Sequence, residues 1–157
     1  MPTVAQTTDR AETMSDEPKL QINDRYGRTL EAGFVARVVA AAAAFVGSED
    51  MEVSLLLTDE QEIAAIHDRF MGDSSGTDVI SFPMDEGVDM VVSVERAERE
   101  STVRGHAFEA ELALYIVHGI LHVSGYDDTT DDARVNMREA ERKVLAALDL
   151  QLPPVDG

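Results

Sequence analysis

His118 and His122 stand four residues apart in the run His118-Gly119-Ile120-Leu121-His122-Val123-Ser124-Gly125-Tyr126-Asp127-Asp128. On a helix this spacing puts both imidazoles on one side, about 6 Å apart along the axis, where two rings can reach a single metal ion. Gly125 can take the left-handed conformation that ends a helix, so the chain can double back and bring Tyr126, Asp127 and Asp128 toward the same point. Asp128 is the best third ligand because it follows the turn, and Asp127 is its competitor; the ordinary alternative is an acid capping the next helix ahead of Asp131 and Asp132. Three protein ligands leave a position open for water, which separates a catalytic zinc from a closed structural one. For the histidines the ordinary alternative is a pair of core rings bonded to backbone or carboxylates. The apolar helix around them weighs against it, because two buried rings facing the same way satisfy each other poorly.

Composition narrows the ligand set. Cysteine is absent, which excludes disulfides and thiolate ligands and leaves His, Asp and Glu. A cytoplasmic protein fits that best. The formal charge of −18 comes from 31 acidic against 13 basic residues, of which only Lys19 and Lys143 are lysines. Such a charge speaks first to solubility and second to a basic partner. It opposes a polyanion, so contact with nucleic acid must rest on a local arginine patch or on the metal. With 157 residues, 44% of them apolar, the chain reads as one domain over residues 19–152 behind a disordered tail, residues 1–18, that has no signal-peptide pattern. The apolar stretch Phe34 to Gly47 carries Arg37 and is too short to span a bilayer.

The elements that must position the histidines follow from periodicity. Leu20 to Asn23 is a weak strand, and Asp24 to Gly27 a turn. Leu30 to Phe45 reads as an alanine-rich helix stopped at Gly47-Ser48. Met51, Val53, Leu55 and Leu57 alternate, with Leu56 also apolar, so this strand is central and buried on both faces. Thr58 with Gln61 has the form of a capping box, and Ile63, Ile66 and Phe70 share a face of the helix it opens. Met71 to Gly76 is a loop. Thr77 to Phe82, stopped by Pro83, and Met90 to Val94, after an acidic turn from Asp85 to Asp89, can pair as a hairpin. Glu95 to Arg104 is a charged helix closed by Gly105. Phe108 to Val123 is apolar on nearly every face and therefore internal. Thr129 caps a last helix, Thr130 to Leu148, with Ala133, Met137, Ala140, Val144 and Leu148 as its core stripe, and Pro153-Pro154 ends ordered structure. The order predicts an α+β fold, a small mixed sheet of about four strands packed against the buried histidine helix.

His-Gly-x-Leu-His-x-x-Gly-Tyr-Asp, at His118 to Asp127, resembles the signature of the YbeY family, bacterial metal-dependent endoribonucleases linked to maturation of ribosomal RNA. Thr77-Asp78-Val79-Ile80-Ser81-Phe82-Pro83 matches its T-D-V-L-S-F-P segment, and Gly105-His106-Ala107-Phe108-Glu109-Ala110-Glu111-Leu112 resembles the G-H-x-x-x-x-E-L that opens its metal helix. Asp89 to Ser93 is similar to its G-D-I-x-I-S strand, without the glycine. The resemblance covers about residues 50 to 150 and implies a zincin-like fold, one zinc, an RNA substrate and work on the ribosome; the acidic charge adds basic ribosomal proteins as partners, and a carboxylate at Asp128 moves the preferred metal toward harder ions such as manganese.

Two departures bear on activity. The third histidine of the family's motif is Asp128 here; a carboxylate can hold zinc, but its charge makes the ion less electrophilic. The family's Tyr-Arg-Gly reads Phe70-Met71-Gly72, so an arginine implicated in catalysis is replaced by Met71, and Arg69, two residues earlier, points elsewhere unless it substitutes. Among candidate roles, His118, His122 and Asp128 are metal ligands. Asp127 or Glu109 would be a base or, more simply, support for a ligand ring, while His106 and Ser81 would line the cleft. His67 is by default a surface residue. Gly119 stands where zinc proteases carry glutamate, which argues against a peptidase. The open coordination position puts the endoribonuclease ahead of a ribosome-assembly binding protein with a structural metal and of a metallohydrolase with another substrate.

Overall fold

A computed structural model describes residues 19–73 and 76–151. The tail over residues 1–18, the Pro153-Pro154 stop and part of the Met71–Gly76 loop lie outside the described residues. Among those described, the elements run β1 (Lys19–Asp24), α1 (Phe34–Phe45), β2 (Glu52–Thr58), α2 (Glu60–Met71), β3 (Val79–Met84), β4 (Gly87–Ser93), α3 (Val94–Arg104), α4 (Phe108–Val123) and α5 (Asp131–Ala147). The expected order of elements and the α+β class with a four-stranded mixed sheet are found. The sheet order is β1-β2-β4-β3; β1, β2 and β4 are parallel and β3 is antiparallel to β4.

The double-sided apolar character of β2 has its reason in this order. Leu55 pairs with Ile22 on one side and Met90 on the other, and the strand is covered on both faces. Val53, Leu55 and Leu57 join Val88, Met90 and Val92 in the main core with α1, α4 and α5, while Leu56 turns the other way to a second, smaller core around Ile63, Ile80 and Val91. Helix α4 is the centre of the main core. Leu112, Ile116, Ile120 and Leu121 are fully buried, and burial of each such side chain contributes about 1.5–3 kcal/mol, so the helix bearing His118 is held from several directions. Gly119 lets it approach the sheet, since a Cβ there would come 2.6 Å from Met90 Sδ and 3.3 Å from Val79 Cγ2.

Several boundaries differ from the expected ones, each for a local reason. Asp59, not Thr58, caps α2 by accepting from Glu62 N at 2.8 Å; Thr58 ends β2 and its hydroxyl donates to Glu62 Oε1 at 2.5 Å. Likewise Thr130, not Thr129, caps α5, accepting from Ala133 N at 3.0 Å. Pro83 does not stop β3, because β3 is an edge strand and a missing N–H is tolerated there; Pro83 pairs with Val88. The β3–β4 turn is accordingly only Asp85-Glu86, and β4 begins at Gly87. Helix α1 begins at Phe34 rather than Leu30, after Gly33 at φ 79°. Phe70 lies outside the core at 60% exposure, stacked edge-on against Phe82 at 5.3 Å.

Candidate active site

On α4 the positions Glu111, Tyr115, His118 and His122 fall at i, i+4, i+7 and i+11, a polar stripe along an apolar helix. The stripe ends at a Schellman turn: Tyr126 N–H donates to Leu121 O at 3.1 Å and Gly125 N–H to His122 O at 3.4 Å, with Gly125 at φ 110°. This is the reversal expected from Gly125. It sends the chain back to Asp128, which lines a cavity of about 200 Å³ together with His118, Asp78, Tyr115, Arg104 and Glu141. Arg134 steadies that segment by donating to Asp128 O at 3.1 Å while pairing with Asp131.

His118 is oriented by α5. Its Nδ1 lies 2.7 Å from Glu141 Oε2, and an ionised carboxylate only accepts, so Nδ1 carries the proton and Nε2 keeps its lone pair in the neutral ring. The carboxylate–imidazole arrangement is the one that orients metal-ligating histidines. His122 is exposed, its ring nearly parallel to that of His118, 10° apart in plane and 6.4 Å between centroids. Among the described residues no group of three or more His, Asp or Glu side chains is gathered closely enough to hold an ion as it stands. The donor chemistry nevertheless fits a divalent cation, with two imidazoles one turn apart, a carboxylate beside the first, and a second carboxylate fixing that ring's tautomer.

The Glu141 hydrogen bond is the chief cause that raises the His118 pKa above the ordinary 6.5, against burial, with further help from Asp78 and Asp128. A folded value above the unfolded one means that this pair stabilises the metal-free protein fully below the unfolded value and that the contribution is lost as pH rises through the folded value. Chemical denaturation of chelated protein across that range is expected to show this loss, and Glu141→Gln to remove the dependence; an unchanged pH profile in the variant would contradict the pairing.

Beside the cavity lies a buried polar cluster built on Glu111, the glutamate of the G-H-x-x-x-x-E-L match, with His106, expected in the cleft, as its partner. Glu111 is fully buried; its Oε1 accepts from His106 Nε2 at 2.5 Å, and Arg104 Nη1 lies 3.4 Å from its Oε2. Burial first, and the neighbouring Glu111 carboxylate second, push the Tyr115 hydroxyl far above its ordinary range, so it remains a proton donor at the cavity wall. The i+4 and i+7 relation of Glu111 to Tyr115 and His118 was the signal available for finding it. Glu141 carries no such local signal, whereas Asp78 stands in the Thr77 to Pro83 segment that matches the family's motif.

The other expected site residues are distributed as follows. His106 is nearly buried and serves Glu111. Glu109, exposed in the first turn of α4, favours the helix dipole. Asp127 accepts from Thr129 N and Oγ1, both at 3.2 Å, and lines a different, larger hollow with Tyr126 and Lys143. Ser81 is half-buried on β3 opposite Met90. Arg69 is exposed at the end of α2, its guanidinium 5.8 Å from the Phe70 ring. None of these five is in the lining of the His118 cavity.

The sequence model of the family described as Endoribonuclease YbeY matches residues 19–149. Proteins named Endoribonuclease YbeY from Alkaliphilus oremlandii and Caldanaerobacter subterraneus are 37% and 35% identical to this chain, over 74% and 83% of it and 85% and 97% of their own lengths. One from Aquifex aeolicus is 36% identical over 71% of this chain and 79% of its own. The solution structure of a Thermotoga maritima protein shares the fold, with TM-score 0.59 and 21% identity over 84% of this chain and 91% of that one. A family match across nearly all described residues, with relatives above 30% identity along most of their lengths, means that the chain belongs to the YbeY family.

Proposed function

We propose that this protein is a metal-dependent endoribonuclease that cuts single-stranded RNA in ribosomal RNA maturation and quality control, with His118, His122 and Asp128 holding one divalent ion. The observation that carries this reading is the 2.7 Å contact of His118 Nδ1 with Glu141, which reserves Nε2 for a ligand beside a cavity shared with Asp128. In this reading α4 is the metal-binding helix of a zincin-like domain spanning residues 19–152. Zinc suits the two imidazoles, and the carboxylate opens the site to a harder ion such as manganese. When bound, such an ion supplies Lewis-acid polarisation of a phosphoryl oxygen and acidifies a bound water.

The chain's own groups do the rest. Glu141 fixes the His118 ring, Arg134 holds the backbone of Asp128 in place, and Tyr115, kept protonated beside Glu111, contributes a neutral ring to the wall. Asp127 serves the turn that precedes α5 rather than proton transfer. A cytoplasmic site of action accords with work on ribosomal RNA; no helix among the described residues is long and apolar enough to cross a membrane. The acidic surface suits contact with basic ribosomal proteins.

The test is cleavage of single-stranded RNA by rigorously nuclease-free protein with zinc or manganese. Wild type is expected to cleave, and Asp128→His to cleave about tenfold faster, because removing a negative ligand makes the centre more electrophilic. Intact RNA with every ion, in a folded protein that binds metal, would overturn the enzymatic reading in favour of a structural metal.

A further inference from the structure

The −18 charge poses a problem that the cavity answers. A polyanion is repelled by most of this surface, so phosphate must meet local positive charge close to the site. Three arginines line the His118 cavity, Arg104, Arg134 and Arg138. Two of them are already engaged. Arg104 lies 3.5 Å from Glu100 and 3.4 Å from Glu111, and Arg134 pairs with Asp131 and donates to Asp128 O. Arg138 has no ion pair or hydrogen bond with any described residue, although acidic side chains outnumber basic ones by 31 to 13. It is also well placed on the helix. Arg138 precedes Glu141 by three residues, so both share a face of α5, and Glu141 already reaches His118. Buried Met137, Ala140 and Val144 anchor that helix in the core, which makes Arg138 a charge on a rigid support.

We propose that Arg138 binds an internucleotide phosphate of the single strand beside His118, a substrate-contacting role that rests on the endoribonuclease reading above. Its planar, permanently charged fork matches two phosphate oxygens at once. Of the acids that line the cavity, Glu141 on its own helix is committed to His118 and Asp128 is the proposed metal ligand, and neither they nor Asp78 pairs with Arg138, so the guanidinium is left for a ligand.

The experiment compares wild type, Arg138→Ala, Arg138→Lys and Arg142→Ala. Arg142 is exposed one turn further along α5, is absent from the cavity lining and removes the same charge. Binding of a fluorescent single-stranded oligoribonucleotide is measured in chelator against salt, and cleavage with metal restored. Arg138→Ala is expected to reduce the slope of log affinity against log salt by about 0.7, the share of one single-strand phosphate contact. It is also expected to slow cleavage by about tenfold to a hundredfold, the range of a charge-assisted hydrogen bond. Arg138→Lys should restore the slope but not the full rate, and Arg142→Ala should match wild type in both. If Arg138→Ala matches wild type, or if both alanine variants lose the same amount, the assignment of Arg138 is overturned while the enzymatic reading stands. If wild type itself neither binds nor cleaves RNA, the enzymatic reading has failed and the assignment with it.

Discussion

His118→Ala is expected to abolish stoichiometric metal binding and to lower RNA cleavage by about a thousandfold or more, corresponding to roughly 4 kcal/mol of transition-state stabilisation. The reason is the convergence of three elements on one ring. Helix α4 supplies the imidazole, α5 supplies the Glu141 carboxylate on Nδ1, and the reversed chain after Gly125 supplies Asp128. Glu141→Gln keeps the side chain's shape but weakens the grip on the ring, and a loss of about 10- to 100-fold in metal affinity is expected. Its graded effect separates the two roles. Metal content by elemental analysis and cleavage rates on the same preparations check both, and a Glu141→Gln protein as damaged as His118→Ala would mean that Glu141 is itself a ligand.

Glu111→Ala is expected to cost about 1–3 kcal/mol of stability, the range for leaving a buried donor unsatisfied, since its charged partner Arg104 is half exposed and can turn to water. That is a large share of the roughly 5–15 kcal/mol that holds a typical domain together. The carboxylate is fully buried between His106 and Arg104 and beside Tyr115, so its loss leaves the His106 Nε2–H without an acceptor in the interior. Glu109→Ala, two residues earlier and exposed, should change stability little. Urea denaturation of the two variants side by side checks the contrast; equal midpoints would show that Glu111 is not anchored as the fold implies.

How much of this was legible in the chain divides along the range of the interactions. The histidine spacing and the glycine turn are local, so they place His118 and His122 on one helix and return Asp128 to its end without any knowledge of tertiary structure. Glu111 is equally local, about three helical turns before His122 on the same stripe, but its partners His106 and Arg104 are brought to it only by the packing of the segment before α4. Glu141 and Asp78 reach the cavity from α5 and from the segment before β3. Only the packing of α4 against both brings them there. The misplaced caps are single-residue competitions, Thr58 against Asp59 and Thr129 against Thr130, in which two adjacent polar side chains offer the same hydrogen bond and the strand or turn before them decides. Pro83 shows the same limit for strands, since its meaning depends on whether the strand lies at the edge of the sheet, which the pairing order settles.

The central claim, that RNA cleavage depends on an ion held by His118, His122 and Asp128, meets its most direct test in a single titration. Nuclease-free protein is stripped with chelator, returned metal in measured steps, and assayed on single-stranded RNA. Cleavage is expected to vanish on stripping and to return in proportion to metal, levelling off at one ion per chain. Cleavage that survives complete removal of metal, or that fails to return although one ion rebinds, would contradict the account.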